Sequence, residues 1–522
     1  MAAISLSDLP NEVLIDIIEF LPISGILATR QVSTHFYALS RLHIIWQRAC
    51  TRHVLSRGFP FPSTRPLDAL DAVELERLTR HAFRLGEFWL NLTFSSTKPA
   101  AVVEFAANSG MTVSDVHFVP AHPDWLITVS RGIWPVVTCW DTSLTSSPSC
   151  DPTVRETEKI AEWSQQGAVL TNIAVNSAVG EGSEEATLAV SMMYRDVRSV
   201  QLLVIRPADG TFERVAYIEG QYVVMGLHGD MLVISDNVNE THLVHWKIEE
   251  MPRIVLRGHI DPSGRNFQAN RALQVLISPY YTFVARAHTL EAFAPSSFDL
   301  PLNSGQDNTQ YPVARHGFGW IDGFAMSHPP PSPTANKSGS QPLSVVLRSE
   351  STNPWTSDVQ SVEMYVIPVE QPTEEGTPHV FTPLLYGERD FPRGHLRCRD
   401  ILLGPHGTAL WIRPRPAHNT GLTQFDVHAS TTQGSENHAL VGAKEAIVAE
   451  VCAGLLLSQY YADGDGEEVV EEVGEKGPRR LRELWTLDDL NTSWTAIDYD
   501  EARGLVALGD NHGKVIVLDL VP

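Results

Sequence analysis

The chain has 522 residues, 43% of them hydrophobic and 19% charged, with 39 basic against 62 acidic side chains and a formal charge of -23. That length calls for two to four domains, or one small domain beside a large repeat architecture, and the apolar fraction excludes global disorder. Residues 1–90 hold nine Arg, no Lys and nine Asp or Glu, so the whole -23 lies in residues 91–522, a balance that disfavours binding to nucleic-acid phosphates.

No apolar run is long enough to cross a bilayer; the stretch 446–457 is interrupted by Glu450. A basic start followed by an apolar run is missing, so no secretory signal is expected and the cytoplasm and/or nucleus is the expected location. The four Asn-x-Ser/Thr sequons, at Asn91, Asn239, Asn336 and Asn491, then read as chance matches. Cys50, Cys139, Cys150, Cys398 and Cys452 form no C-x-x-C pair. They fit reduced, mostly buried thiols rather than a disulfide frame or zinc site.

Residues 5–50 have a helical period. Ser7 or Asp8 is placed to cap, Pro10 suits a first turn and Glu12 the positive end of the dipole. Val13, Leu14, Ile17, Ile18 and Leu21 recur at three- and four-residue spacing until Pro22 stops the helix. A second helix carries Ile26, Leu27 and Arg30; a third begins near Ser33 or Thr34 and carries Phe36, Tyr37 and Leu39. Ile44, Ile45 and Trp46 make a final apolar cluster. So short a module cannot bury these groups by itself. Either its leftover face docks on another protein, or it caps the rest of this chain.

Leu9-Pro10-x-Glu12-x-Leu14-x-x-Ile17-x-x-Phe20-Leu21, then Leu27-x-x-Arg30-x-Val32-Ser33-x-x-Phe36, then Trp46, resembles an F-box. Thr34 and His35 stand where the family has a basic residue and its neighbour, and Phe36 where Trp is commoner. Neither departure removes an apolar contact. The resemblance implies binding to the Skp-type adaptor of a cullin-RING ubiquitin ligase, with Leu9, Pro10, Leu14, Ile17, Leu27, Val32 and Trp46 at that interface or supporting it. An F-box is expected over 1–56 and a helical linker over 57–90, where Leu67, Leu70, Val73, Leu75, Leu78, Ala82 and Leu85 follow a Gly/Pro/Ser-rich start. In the family such a stretch is rigid. A flexible tether is the alternative that the regular apolar spacing disfavours.

From residue 91 short β-type runs alternate with Gly, Pro, Asp and Asn turns. The clearest unit is 113–144, ending in Trp140-Asp141; others fall at 170–207, 221–249, 273–297, 319–369, 393–414, 445–488 and 495–520. The pattern resembles a degenerate WD40-like β-propeller over 91–522. The fold class is therefore a small all-α F-box module followed by an all-β propeller, eight blades being favoured over seven. The last unit supplies about three strands, so the segment around Ala101–Phe105 is expected to add the fourth and latch the ring. Residues 327–342 (Pro/Ser-rich) and 463–478 (acid-rich) read as disordered insertions. Asp463 and Asp465 hint at a calcium loop that lacks its later Gly and Glu; a solvated acidic loop is the better reading.

No P-loop, H-E-x-x-H or G-x-S-x-G occurs, Gly317-Phe318-Gly319 lacks its third glycine, and His259 and His395 follow Gly as in WD-type turns. No catalytic residue, cofactor or metal is expected. Arg131, Arg195, Arg286, Arg348 and Arg413 each end what reads as a blade's second strand. If they converge, they would bind a phosphorylated or acidic protein substrate; the competing reading is that Arg tolerates a solvated turn. The expected function is substrate receptor of a Skp/cullin/F-box ligase, with no nucleic-acid or membrane partner. A scaffold acting outside degradation and a propeller enzyme are the alternatives.

Overall fold

The computed structural model describes residues 9–63, 65–90, 100–108, 110–143, 157–178, 187–236, 238–259, 270–278, 280–295, 308–328, 342–350, 359–369, 382–392, 401–413, 446–452, 482–486 and 493–521. The N-terminal part is helical: α1 (Asn11–Ile18), α2 (Ile23–Thr29), α3 (Thr34–Leu39), α4 (His43–His53) and the long α5 (Ala72–Leu90). Pro10 and Pro22 precede the first two helices, where a missing N–H costs nothing. Ser7 and Asp8 lie outside the described residues. Ser33 caps α3, its Oγ accepting from the Phe36 N–H at 3.2 Å. Ile44, Ile45 and Trp46, expected as a loose cluster, instead open a fourth helix.

Arg30 holds this head together. Its guanidinium donates to Ser40 Oγ (3.0 Å) and to the Ser40 carbonyl (3.2 Å). It also grips both oxygens of Glu76 on α5 at 2.7 and 2.6 Å and lies 5.6 Å from the Trp46 ring centre. Trp46, fully buried, spends its Nε1–H on the same Ser40 carbonyl at 2.9 Å. Opposite them, Gly86 is a notch in α5: a Cβ there would fall 2.2 Å from the buried Phe59 ring. Any other residue would push Phe59 out of the core.

The described strands form seven antiparallel blades of four strands, blade 3 carrying in addition the short parallel strand Thr309–Gln310 on its outer edge. Blade 1 comprises Thr112–Val119, His122–Arg131, Pro135–Asp141 and Glu158–Ser164; blade 2 Ala168–Val175, Leu188–Tyr194, Val197–Arg206 and Thr211–Glu219. Blade 3 runs from Val223–His228 to Arg253–Arg257, blade 4 from Ala272–Ile277 to Ala314–Gly317, and blade 5 from Trp320–Ser327 to Leu384–Pro392. Blade 6 is Ile401–Leu403, Thr408–Arg413, Ala446–Val451 and Arg482–Thr486. Blade 7 is Trp494–Asp500, Leu505–Asp510 and Lys514–Asp519, completed by Ala100–Ala106 from the other end of the chain. A single parallel pairing, Glu162 with Thr211, joins the outer strands of blades 1 and 2.

Among the described residues the count is seven, the second of the two expected counts, rather than the favoured eight. Units 393–414 and 445–488 are two halves of blade 6, parted by residues 414–445 between its second and third strands. Each half shows strand periodicity, so the interruption reads as a boundary. Neither half has four strands to bury its own faces. The insertion residues 329–341 and 463–478 lie outside the described residues.

Ring closure follows from the inner strands. The first strand of each blade packs beside that of the next from blade 7 through blade 1 to blade 6. Polar clasps cross several of these joints. Asp498 of blade 7 accepts from the Phe118 N–H of blade 1 at 2.7 Å, and Asn172 of blade 2 donates to the Val224 carbonyl of blade 3 at 2.7 Å. Between blades 6 and 7 the buried Glu501 carboxylate accepts from the His406 N–H (2.7 Å) and the Thr408 N–H (3.0 Å). Burial pushes the Glu501 carboxyl above its usual range, and these donors, with His406, offset part of that push.

The latch is as expected. Val103, Glu104, Phe105 and Ala106 pair antiparallel with Val517, Ile516, Val515 and Lys514. Val103 is buried, and Phe105 meets Trp140 of blade 1 at 4.8 Å between ring centres. Val103→Asp would bury an unpaired carboxylate, an effect on the order of 3 kcal/mol. Its thermal unfolding midpoint should fall by several degrees, as should that of a chain lacking residues 99–106. An unchanged midpoint in both would show that the ring does not depend on this strand.

Candidate binding surfaces

Two surfaces present groups that the chain itself leaves uncovered. On the head, α1 has two stripes. Leu14 and Ile18 are buried, whereas Val13 (42% exposed), Ile17 (40%) and, just beyond the helix, Phe20 (63%) face outward. Val32, Tyr37, Leu42 and Ile44 are exposed as well. Of the residues assigned from sequence to adaptor binding, Pro10, Ile17 and Val32 are exposed and Leu9 and Leu27 are half-buried against the core. Leu14 and Trp46 belong to the interior and contact no partner directly; they hold the exposed groups in place. Helical spacing shows which residues are apolar, but a six- to eight-residue helix with apolar groups on both sides does not say which side is filled. For that reason residue order does not reveal that Val13, Phe20 and Ile44 are exposed.

The head is also a cap. Its core runs without a break through Leu75, Leu78, Ala82, Leu85 and Trp89 into Leu410 and Ile412 of blade 6 and Trp494, Leu508 and Leu518 of blade 7. His81 Nε2 meets the Arg503 carbonyl at 3.1 Å and His406 Nδ1 meets the Gly58 carbonyl at 3.1 Å. Gly504, at φ +66°, lets Leu85 sit on the blade-7 turn, since a Cβ there would fall 2.8 Å from Leu85 Cδ1. The helical module therefore both docks on the ring and keeps an open face. The turns it covers, 404–407 and 501–504, join first to second strands.

The five arginines end second strands, and so lie at the opposite edge of an antiparallel blade. They do not form one basic mouth. Arg286 is fully buried, its Nε on Glu291 Oε2 at 2.8 Å. Arg348 is nearly so, its Nε on Asp322 Oδ1 at 2.6 Å. Both neutralise an acid inside a blade, which sequence position alone does not reveal. Arg131 is exposed, with Asp115 3.8 Å away. Arg195 is exposed in a two-residue turn where it and Asp196 both take positive φ (50° and 65°), and its guanidinium lies 5.0 Å from the Tyr194 ring centre. The side chain of Arg413 lies outside the described part.

What this edge does expose is apolar. Ile133 (91%) and Trp134 (37%) form the blade-1 turn beside Arg131, and Val197 (43%) borders the Arg195 turn. Val238 (46%) lies in the blade-3 turn, and Trp320 (47%) opens blade 5 with the His288 ring edge-on at 3.9 Å. Aromatic and Arg side chains in company are the composition of binding hot spots. Residue order carries no sign of this exposure, because Gly-Ile-Trp-Pro-Val-Val reads as one more packed strand.

Among the described residues no group of His, Cys, Asp and Glu is placed to hold a metal, and no helix is long and apolar enough to cross a membrane. Cys50, Cys139 and Cys452 are buried and in no disulfide, and burial pushes the Cys50 and Cys139 thiols up to about 11 and about 12. Such thiols are inert at neutral pH. Cys150 and Cys398 lie outside the described residues.

The two kinds of arginine are separable by substitution. Arg286→Ala leaves Glu291 buried without its partner and should cost about 3–5 kcal/mol of stability. Arg131→Ala, at an exposed and loosely paired site, should stay within about 0.5 kcal/mol. Chemical denaturation checks both; equal midpoints would contradict the structural role assigned to Arg286.

Residues 6–52 match the model of the family described as F-box-like. No functionally curated protein matches the chain. Among solved structures, the β-propeller domain of Cps50 (Swd1) from Myceliophteria thermophila is similar, at 10% identity and a TM-score of 0.44 over 81% of this chain and 99% of that one. The chain thus carries an F-box-like domain at residues 6–52, followed by a β-propeller region.

Proposed function

We propose that this chain is the substrate-recognition subunit of a Skp/cullin/F-box ubiquitin ligase. The observation that carries the reading is the uncovered apolar face of the F-box. Val13, Ile17 and Phe20 follow one another at i, i+4 and i+7 and are left exposed although the same head buries its opposite face in the ring. A surface of this kind marks a protein interface. The adaptor takes that face. A protein substrate takes the ring edge opposite the head, where Ile133, Trp134 and Trp320 supply apolar anchors and Arg131 and Arg195 supply acidic-group recognition. Transfer of ubiquitin belongs to the other subunits, and this chain contributes proximity and orientation.

Co-expression with a Skp-type adaptor tests the first half. Ile17→Asp with Phe20→Asp should abolish co-purification and leave the melting temperature within a degree or two, because both side chains are already in water. Retained co-purification would sink the assignment of this face. For the second half, Trp134→Ala with Arg131→Glu should lose proteins captured by a full chain carrying Ile17→Asp and Phe20→Asp, and made in the unaltered chain it should leave adaptor binding unchanged.

A further inference from the structure

A cleft of about 570 Å³ opens between α3 and α5, and its walls are arginine: Arg30, Arg41, Arg77, Arg80 and Arg84, with Glu76 the one acid among the described residues that line it. Five of the nine arginines of residues 1–90 meet here, against one of the nine acids. Four of the other eight acids are held in ion pairs elsewhere. Asp16 and Glu19 hold Arg48, Glu74 holds Arg65 and Glu87 holds Arg57.

Glu76 cannot balance the cleft. Arg30 takes both its oxygens, and Arg80 reaches Oε1 at 3.4 Å. Arg41 donates to the Tyr37 hydroxyl at 3.0 Å, and neither Arg41 nor Arg77 makes an ion pair among the described residues. Arg77, Arg80 and Arg84 are spaced i, i+3, i+7 on α5, so they form one stripe of roughly 10 Å. That is about three residues of extended peptide. Exposed Tyr37 (46%) and Val73 (61%) line the same cleft and add apolar contact.

We propose that this cleft is a binding site for a short acidic peptide segment of a partner protein, its carboxylate or phosphate oxygens taken by Arg41, Arg77 and Arg80. Guanidinium forks suit both anions. Length decides the class of ligand. Residues 91–522 carry the entire -23, so a nucleic acid or an anionic bilayer, too long for the cleft, meets a chain whose net charge repels it. A three- to five-residue acidic stretch does not. The site is independent of the adaptor and substrate faces proposed above.

Fluorescence anisotropy on the full chain is the test, with a labelled hexapeptide of four consecutive acids between two leucines. Its Asn/Gln counterpart, a phosphoserine version and a labelled 20-nucleotide single-stranded DNA serve as comparisons. The acidic and phosphoserine peptides should bind, the amide peptide should bind at least tenfold more weakly, and raising the salt should weaken binding. Arg41→Ala with Arg77→Ala should weaken it about tenfold or more with an unchanged melting curve; Arg77→Glu alone is the second variant, should the double one melt early. Failure of the wild-type chain to bind, equal binding of the amide peptide, or full binding by the variants would overturn the site. Tighter, arginine-dependent binding of the DNA would overturn the choice of a peptide.

Discussion

Helix α5 belongs to two cores at once, and that shared burial governs the rest of the molecule. Four helices within residues 11–53 have too little interior to stand alone. Leu75, Leu78, Ala82, Leu85 and Trp89 supply the missing surface and continue into blades 6 and 7. Arg30 pins α5 from the head side through Glu76, while Leu85 on Gly504 and Trp89 near Tyr499, 6.4 Å between ring centres, pin it from the ring side. The helix therefore cannot rotate about its axis without opening a cavity on one side or a clash on the other. A linker built this way sets a fixed spacing between the open head face and the far edge of the ring. Fixed spacing is what a subunit that works by orientation requires.

Ring closure is tied to the same place. The chain leaves α5 at Leu90 and re-enters as Ala100–Ala106, the strand that completes blade 7. Its partner strand Lys514–Asp519 continues into Leu520, which is buried in the core shared with α5. Both ends of the propeller thus meet beneath the head. Loss of the closing strand would expose two sheet edges and also loosen the floor on which α5 sits. Head and ring are expected to unfold together for that reason, although their secondary structures have nothing in common.

Much of this was readable from residue order, and the failures have physical causes. Helical period located the F-box helices and α5 because one face of each is filled by large aliphatic groups; the latch was legible because Val103 and Phe105 alternate as a half-buried strand must. Blade number was not legible, since strand periodicity says nothing about what a 32-residue stretch (414–445) separates. The arginines failed differently. Arg286 has Glu291 five residues on, diagonally across a hairpin, whereas the partner of Arg348 is Asp322, 26 residues earlier on the neighbouring strand. Position at a strand end is a local property, but whether an acid waits across the sheet is a property of register. The exposed Ile133 and Trp134 escaped for the converse reason, being strand-like in type and turn-like in place.

Charge shows the same difference between a sum and an arrangement. Residues 1–90 are neutral by count, yet folding sorts them: four acids hold Arg48, Arg57 and Arg65 in local pairs, and five of the six remaining arginines concentrate around one carboxylate in the α3–α5 cleft. Residues 91–522 carry -23, and the cleft adjoins them where His81 touches the Arg503 carbonyl. The two fields act at different ranges. Repulsion from the acidic ring reaches a long anion at many points, while attraction in the cleft is confined to contact distance by screening. Selection then depends on how many of a ligand's charges fit between the arginines and how many must lie over the acids. A short acidic segment keeps only the first term, and a long polyanion is dominated by the second.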